Sequence, residues 1–143
     1  RKVNRDANYV DVANLDDRYQ VENMKKTIDS LYKSKLWPLA SILQLPSRAA
    51  AALFADDSLG FVYVDARHDY CSVYEDLTLF WPKVRPGGLI AGDDCSVDPR
   101  VERHFDNKKR KQYQNWSICE DGSVRRGGPY RAALDFAARH GVA

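Results

Sequence analysis

The sequence predicts an α/β domain built on a parallel sheet, and three observations carry that prediction. Phe61-Val62-Tyr63-Val64 is a short β-branched and aromatic run closed by Asp65, the pattern of a buried strand. The segment from Tyr70 to Trp81 places Val73, Leu77, Phe80 and Trp81 on one helical face, with Glu75, Asp76 and Thr78 mostly off it. Pro86-Gly87-Gly88 breaks the chain, and Leu89-Ile90-Ala91 begins a second apolar strand. Strand, helix and strand over this length make a right-handed parallel crossover, so both strands end on one edge of the sheet. Asp65 and His68 then lie beside Asp93 and Asp94. In open α/β sheets that carboxyl edge is where ligands bind.

The remaining elements follow in order. Residues 1–17 are polar and turn-rich, with Asn8 to Val12 as a short extended piece and Asp16-Asp17 as a helix N-cap. A helix from about Tyr19 to Lys33 places Val21, Met24, Ile28, Leu31 and Tyr32 along one stripe. Leu39 to Leu45 reads as a strand. Pro46-Ser47 turns the chain, and Ser47 caps a helix through Ala49 to Phe54. After Cys95 comes a polar region, Ser96 to Gln114, whose Lys108 to Lys111 run reads as a solvated face. Trp116 to Cys119 reads as a strand, Glu120 to Ser123 as a turn favouring a hairpin, and Val124-Arg125 as its return. Gly127-Gly128-Pro129 stops it. Tyr130 to His140 is then a helix with Leu134, Ala137 and Ala138 inward and Gly141 as its cap. Strands alternating with helices and ending in an antiparallel hairpin give one three-layer α/β domain.

Composition narrows the functional classes. With 143 residues, 44% hydrophobic and 29% charged, the chain is long enough for one domain with a core. A net charge of +2 gives no strong pull toward nucleic acid or a membrane surface. Three cysteines, Cys71, Cys95 and Cys119, form no CxxC pair. That disfavours a disulfide framework or a zinc site and fits a reducing compartment, the cytoplasm or an organelle interior. No apolar run approaches the ~18 residues of a membrane span. The chain opens at Arg1 in mid-pattern, which suggests missing upstream sequence.

Asp65, Asp93 and Asp94 form a hard, oxygen-rich set of the kind that suits Mg²⁺, which takes octahedral oxygen ligands and keeps several waters. The plainer alternative is that each Asp caps the next helix or turn. Adjacent carboxylates at Asp93-Asp94 repel unless a cation compensates. His68, three residues after Asp65, is a candidate general base; as a single residue it could equally be a surface or capping histidine. His104 and His140 have no such neighbourhood. Cys95 reads as a small packing residue, and Gly87-Gly88 as a strand-entry turn rather than a phosphate cradle.

VDARHDY followed by RPGGLIAGDDC resembles the class I S-adenosylmethionine-dependent methyltransferases, above all the metal-dependent O-methyltransferases of the catechol and caffeoyl-coenzyme A type and of the macrolide-sugar type. The resemblance implies a Rossmann-like, three-layer, mostly parallel sheet. It implies that Asp65, at the end of the fourth strand, and Asp93 and Asp94, at the end of the fifth, hold Mg²⁺, with His68 in the place of the base. LQLPSRAA resembles the segment that borders the adenine ring, which makes Ser47 and Arg48 cofactor candidates together with Asp65 and Ala66. PYRAALDFAARHGV is similar to the family's last helix. One departure stands out. No glycine-rich turn precedes Asp65, so the first two strands of the family's sheet are missing from this reading. Unpaired central edges are costly, so the resemblance implies a truncated chain, or another chain or segment completing the sheet.

The expected activity is methyl transfer from S-adenosylmethionine to an oxygen of a small-molecule acceptor, with Mg²⁺ or another divalent cation assisting. The alternative is a non-catalytic methyltransferase-like scaffold in a larger assembly. A nucleic-acid module using Lys108 to Lys111 fits poorly with the near-neutral charge.

Overall fold

A computed structural model describes residues 17–95 and 116–142. The predicted extended piece at Asn8 to Val12, the Asp16 cap, His104 and the Lys108 to Lys111 run lie outside the described residues.

The organising unit is as the sequence predicts. Strand β1 (Leu59–Val64), helix α3 (Tyr70–Phe80) and strand β2 (Val84–Gly92) follow one another, and the strands pair in parallel. Two earlier helices, α1 (Asp17–Lys33) and α2 (Ser47–Ala51), precede this unit, and α4 (Gly128–His140) follows it. Tyr63 lies opposite Ala91 and Val64 opposite Gly92, so both strands end level, and Asp93 N–H extends the ladder to Val64 O at 3.0 Å.

β2 begins five residues earlier than the Leu89 start predicted. Leu59 pairs with Val84 but Phe61 with Leu89, so Arg85 to Gly88 bulge out of the ladder. Pro86 can donate no ladder hydrogen bond, and Gly87 takes a left-handed φ of 75°. A Cβ on Gly88 would lie 2.7 Å from Val84 Cγ1 and 2.9 Å from Arg85 O. The Pro-Gly-Gly run therefore bends a strand instead of preceding one.

The core lies on one face of this sheet. Val73 and Leu77 of α3 pack with Ala132 and Phe136 of α4, against Val64 and Ile90 of the strands. Phe136 meets Tyr74 and Trp81 edge-on. The inward face of α4 is thus Ala132 and Phe136, not Leu134 and Ala138, which are exposed. The large Phe136 ring sets the rotation, because it has the most apolar area to bury. Asp76, expected off the buried face of α3, is buried beneath α2 and bonded to Ser47.

Three further expectations are corrected. Leu39 to Leu45 is not a strand: Trp37–Leu39 is a 3₁₀ turn with Pro38 in its first positions, and irregular chain follows. No strand among the described residues offers this segment a ladder, and Leu39 is 85% exposed. α2 is shorter than predicted, and Ser47 is its first residue rather than its cap. Its hydroxyl serves Asp76 instead. At the C-terminal hairpin, Trp116 to Cys119 forms turns with a single antiparallel bridge, Ile118 to Val124, rather than a strand.

The cysteines also differ from expectation. Cys71 and Cys119 form a disulfide with Cα atoms 5.6 Å apart. Residue counting could not foresee this, because the partners are 48 residues apart in sequence. The bridge removes the cysteine argument for a reducing compartment. Cys95 is exposed rather than packed. Among the described residues, no helix is long and apolar enough to cross a membrane.

Candidate functional site

Alternation along β1 puts Phe61, Tyr63 and then Asp65 on one side of the strand. Parallel pairing sets Asp93 and Asp94 just past the end of β2, next to Asp65. Asp94 has a φ of 53°, a left-handed conformation that non-glycine residues rarely adopt, and it turns the second carboxylate of the pair back toward His68. His68 Nε2 lies 3.2 Å from Asp94 Oδ2 and 3.5 Å from Asp65 Oδ1. The imidazole is mostly buried, while both carboxylates are about half exposed.

Tyr63 belongs to the same cluster, although sequence reading treats it only as a strand residue. Its phenol is held above its ordinary value by desolvation first, then by the charges of Asp93 and Asp65, a hydrogen bond with Asp93, and the charge of Asp94. All three carboxylates thus lie near enough to act on the Tyr63 phenol. The available signal was its position two residues before Asp65, on the same face of the strand.

The loop carrying His68 is anchored by Asp69, which is fully buried. Asp69 is the N-cap of α3: it accepts from Ser72 N at 3.0 Å, from Ser72 Oγ at 2.9 Å and from Arg67 Nε at 2.9 Å. An Asp three residues before a Ser at the start of a helical pattern is a legible capping signal. On its other side His68 stacks on Trp116, with ring centroids 5.3 Å apart and planes 22° apart. No local sequence pattern foretells that contact.

Two cavities open near this edge. One, of about 390 Å³, lies beside β1 and is lined by Ser47, Asp65, Ala66, Tyr63, Asp76 and Phe80. It brings together three of the four predicted cofactor residues. The fourth, Arg48, is not among its lining residues; its Nε donates to Glu75 Oε1 at 3.1 Å. The second, of about 360 Å³, runs between β2 and the helices, with His68, Asp93 and Cys95 among its polar lining and Leu77, Trp81 and Phe136 along its apolar walls. Although Cys95 is exposed as a residue, partial desolvation holds its thiol above the ordinary value, which speaks against a nucleophilic role.

Asp65, Asp93 and Asp94 do not draw together into one tight donor set. The set among the described residues whose donor atoms all lie within 4.8 Å of one another is Asp69, Cys71 and Cys119. Two of those three are joined as a disulfide, so it is no metal site in this state.

A family model described as a methyltransferase domain matches residues 3–95, a span that contains β1, α3, β2 and the whole acidic cluster. The chain belongs to this methyltransferase family. Such a domain implies methyl transfer from S-adenosylmethionine, and an α/β fold with a small parallel sheet is compatible with it. Neither a curated protein nor a solved structure matches the chain.

Proposed function

We propose that this methyltransferase domain acts on an oxygen of a small molecule, with a divalent metal such as Mg²⁺ held by Asp65, Asp93 and Asp94. One observation carries the reading. A histidine sits between two carboxylates that come from the ends of two parallel strands, at 3.2 and 3.5 Å. The donors are all carboxylate oxygens, the type a hard cation takes, and Asp65 and Asp94 are half exposed; because they do not lie in one tight set, a cation would have to draw them together by rotamer changes. A cation bound there would polarise the acceptor and lower the pKa of its hydroxyl.

The roles of the chain's own groups follow. His68 takes the acceptor proton at Nε2, and the carboxylates of Asp65 and Asp94 stabilise the imidazolium that forms. The cavity beside β1, with a volume in the range of small-ligand sites, would hold the adenosyl part of the cofactor against Ser47, Ala66 and Asp65. Arg48 stands outside that cavity with Glu75 and has no direct part in this scheme. Methyl donor and acceptor would then meet at the strand ends, where positioning would supply much of the acceleration. The same reading places the β1–α3–β2 unit at the centre of a three-layer Rossmann-like sheet, and the parallel pairing supports it.

Titration with Mn²⁺ followed by paramagnetic resonance tests the metal set directly. Asp65→Asn and Asp94→Asn should each weaken Mn²⁺ binding by about tenfold or more. Equal affinity in the wild type and both variants would remove the metal from the scheme.

A further inference from the structure

The segment 116–125 lies far from His68 in sequence, yet it meets the 65–72 stretch at three points. Cys119 is bonded to Cys71, in the first turn of α3. Trp116, buried, stacks on the imidazole of His68. Glu120 Oε2 lies 3.8 Å from Arg67 Nη1. The last of these is exposed and weak. The covalent bridge and the ring stack are the strong contacts, and both converge on the loop that carries His68.

The start of α4 closes the arrangement from behind. Gly128 has a φ of 44°, and a Cβ there would lie 3.3 Å from both His68 O and Trp116 Cε3. The His68 backbone and the indole are thus packed so closely against Gly128 that an added methyl group would have to push one of them aside by a few tenths of an ångström. Within the segment, Cys119 N–H donates to Ser123 O and Arg125 N–H to Ser117 O, so the turn that holds Cys119 also holds Trp116.

We propose that Trp116 is a positioning residue for His68, and that the Cys71–Cys119 disulfide keeps it in place. The proposal rests on the reading of His68 as the base, since it concerns how that ring is aimed at Asp65 and Asp94. Without the indole, one face of the imidazole loses its support, and the ring is free to leave the line between the two carboxylates. A displacement of about 1 Å at such a site can slow a reaction on the order of 100-fold. The bridge makes the support dependent on oxidation state. A dithiol reductant delivers two electrons and two protons, the S–S bond breaks, two thiols form on Cys71 and Cys119, and the reductant becomes its own disulfide.

The test uses the full chain labelled with ¹³C at histidine, with ring signals assigned through His68→Gln. In the oxidised protein the His68 ring protons should be displaced upfield by the indole ring current. Trp116→Leu should abolish the displacement with the disulfide intact, and Trp116→Phe should retain most of it. Dithiol treatment, verified by a mass gain of two hydrogens, should also abolish it. The ring protons of His140, stacked on Phe136, should stay unmoved and so report that the fold persists. His68 signals that do not move in Trp116→Leu would remove the contact, and a methyl-transfer rate in Trp116→Leu equal to that of the wild type would overturn the positioning role. Signals that move in Trp116→Leu but not on verified reduction would overturn the role of the disulfide. Failure of the base reading shows elsewhere, as a methyl-transfer rate unchanged in His68→Gln, and leaves the ring signals to decide the contact.

Discussion

The two faces of the β1–β2 pair are built differently. One is covered: Val64 and Ile90 lie under α3 and α4, with Val73, Leu77, Ala132 and Phe136 buried between them. On the other, Phe61, Tyr63 and Leu89 are each more than half exposed. The stripe of α1 does not cover them. Its Tyr32 stacks on Trp37, and Val21 and Tyr32 remain exposed. The covered face holds the fold, and the open side ends in Tyr63, Asp65 and Asp93, where chemistry is proposed. Stability is thus carried by the covered side, and the proposed site lies at the strand ends, where His68 and Asp93 also line the cavity on the helix side.

The sharpest way to break this comparison is a matched pair of truncations. Phe136→Ala on the covered face should cost about 3–5 kcal/mol in denaturant unfolding, as for a large aromatic removed from a packed core. Phe61→Ala on the open face should cost about 1 kcal/mol or less. Equal losses would mean that the open face is covered in solution. A smaller effect belongs to the joint between the faces. Asp69→Ala removes the α3 cap and leaves Arg67 without its buried acceptor, so it should cost about 2–3 kcal/mol.

The smallest effect concerns Asp76, buried beneath α2. Desolvation raises its pKa above the ordinary 3.8, against the opposing hydrogen bond from Ser47, while Glu75 and Asp69 raise it further. A carboxyl whose folded pKa exceeds its unfolded one destabilises the fold once ionised. The penalty is absent below the unfolded value and grows as pH rises through the folded one. Asp76→Asn should therefore raise the thermal midpoint at pH 7 and lose that advantage below about pH 4. An advantage of equal size at both pH values would assign the effect to something other than ionisation.

What was legible in the sequence follows from the range of the forces involved. The β1–α3–β2 unit was readable because its signals are local: an apolar run, a helical period, a Pro-Gly-Gly break. The closeness of Asp65, His68 and Asp94 followed from topology alone, since parallel strands joined by one helix must end on one edge. Leu39 to Leu45 misled because an apolar run becomes a strand only where a ladder is available. The buried Asp76 escaped because its cover comes from α2, outside its own helix. The Cys71–Cys119 bridge and the Trp116 stack escaped for the same reason: each joins residues 48 apart through packing that no local period encodes. Tyr63 was within reach, because strand alternation already aligned it with Asp65.

The most direct measurement is the initial rate of methyl transfer from labelled S-adenosylmethionine to hydroxylated small molecules, at saturating Mg²⁺, for the wild type and His68→Gln. If the imidazole between Asp65 and Asp94 takes the acceptor proton, the substitution should lower the rate by about 10²–10⁴ while cofactor affinity is retained. A His68→Gln rate equal to that of the wild type would contradict it.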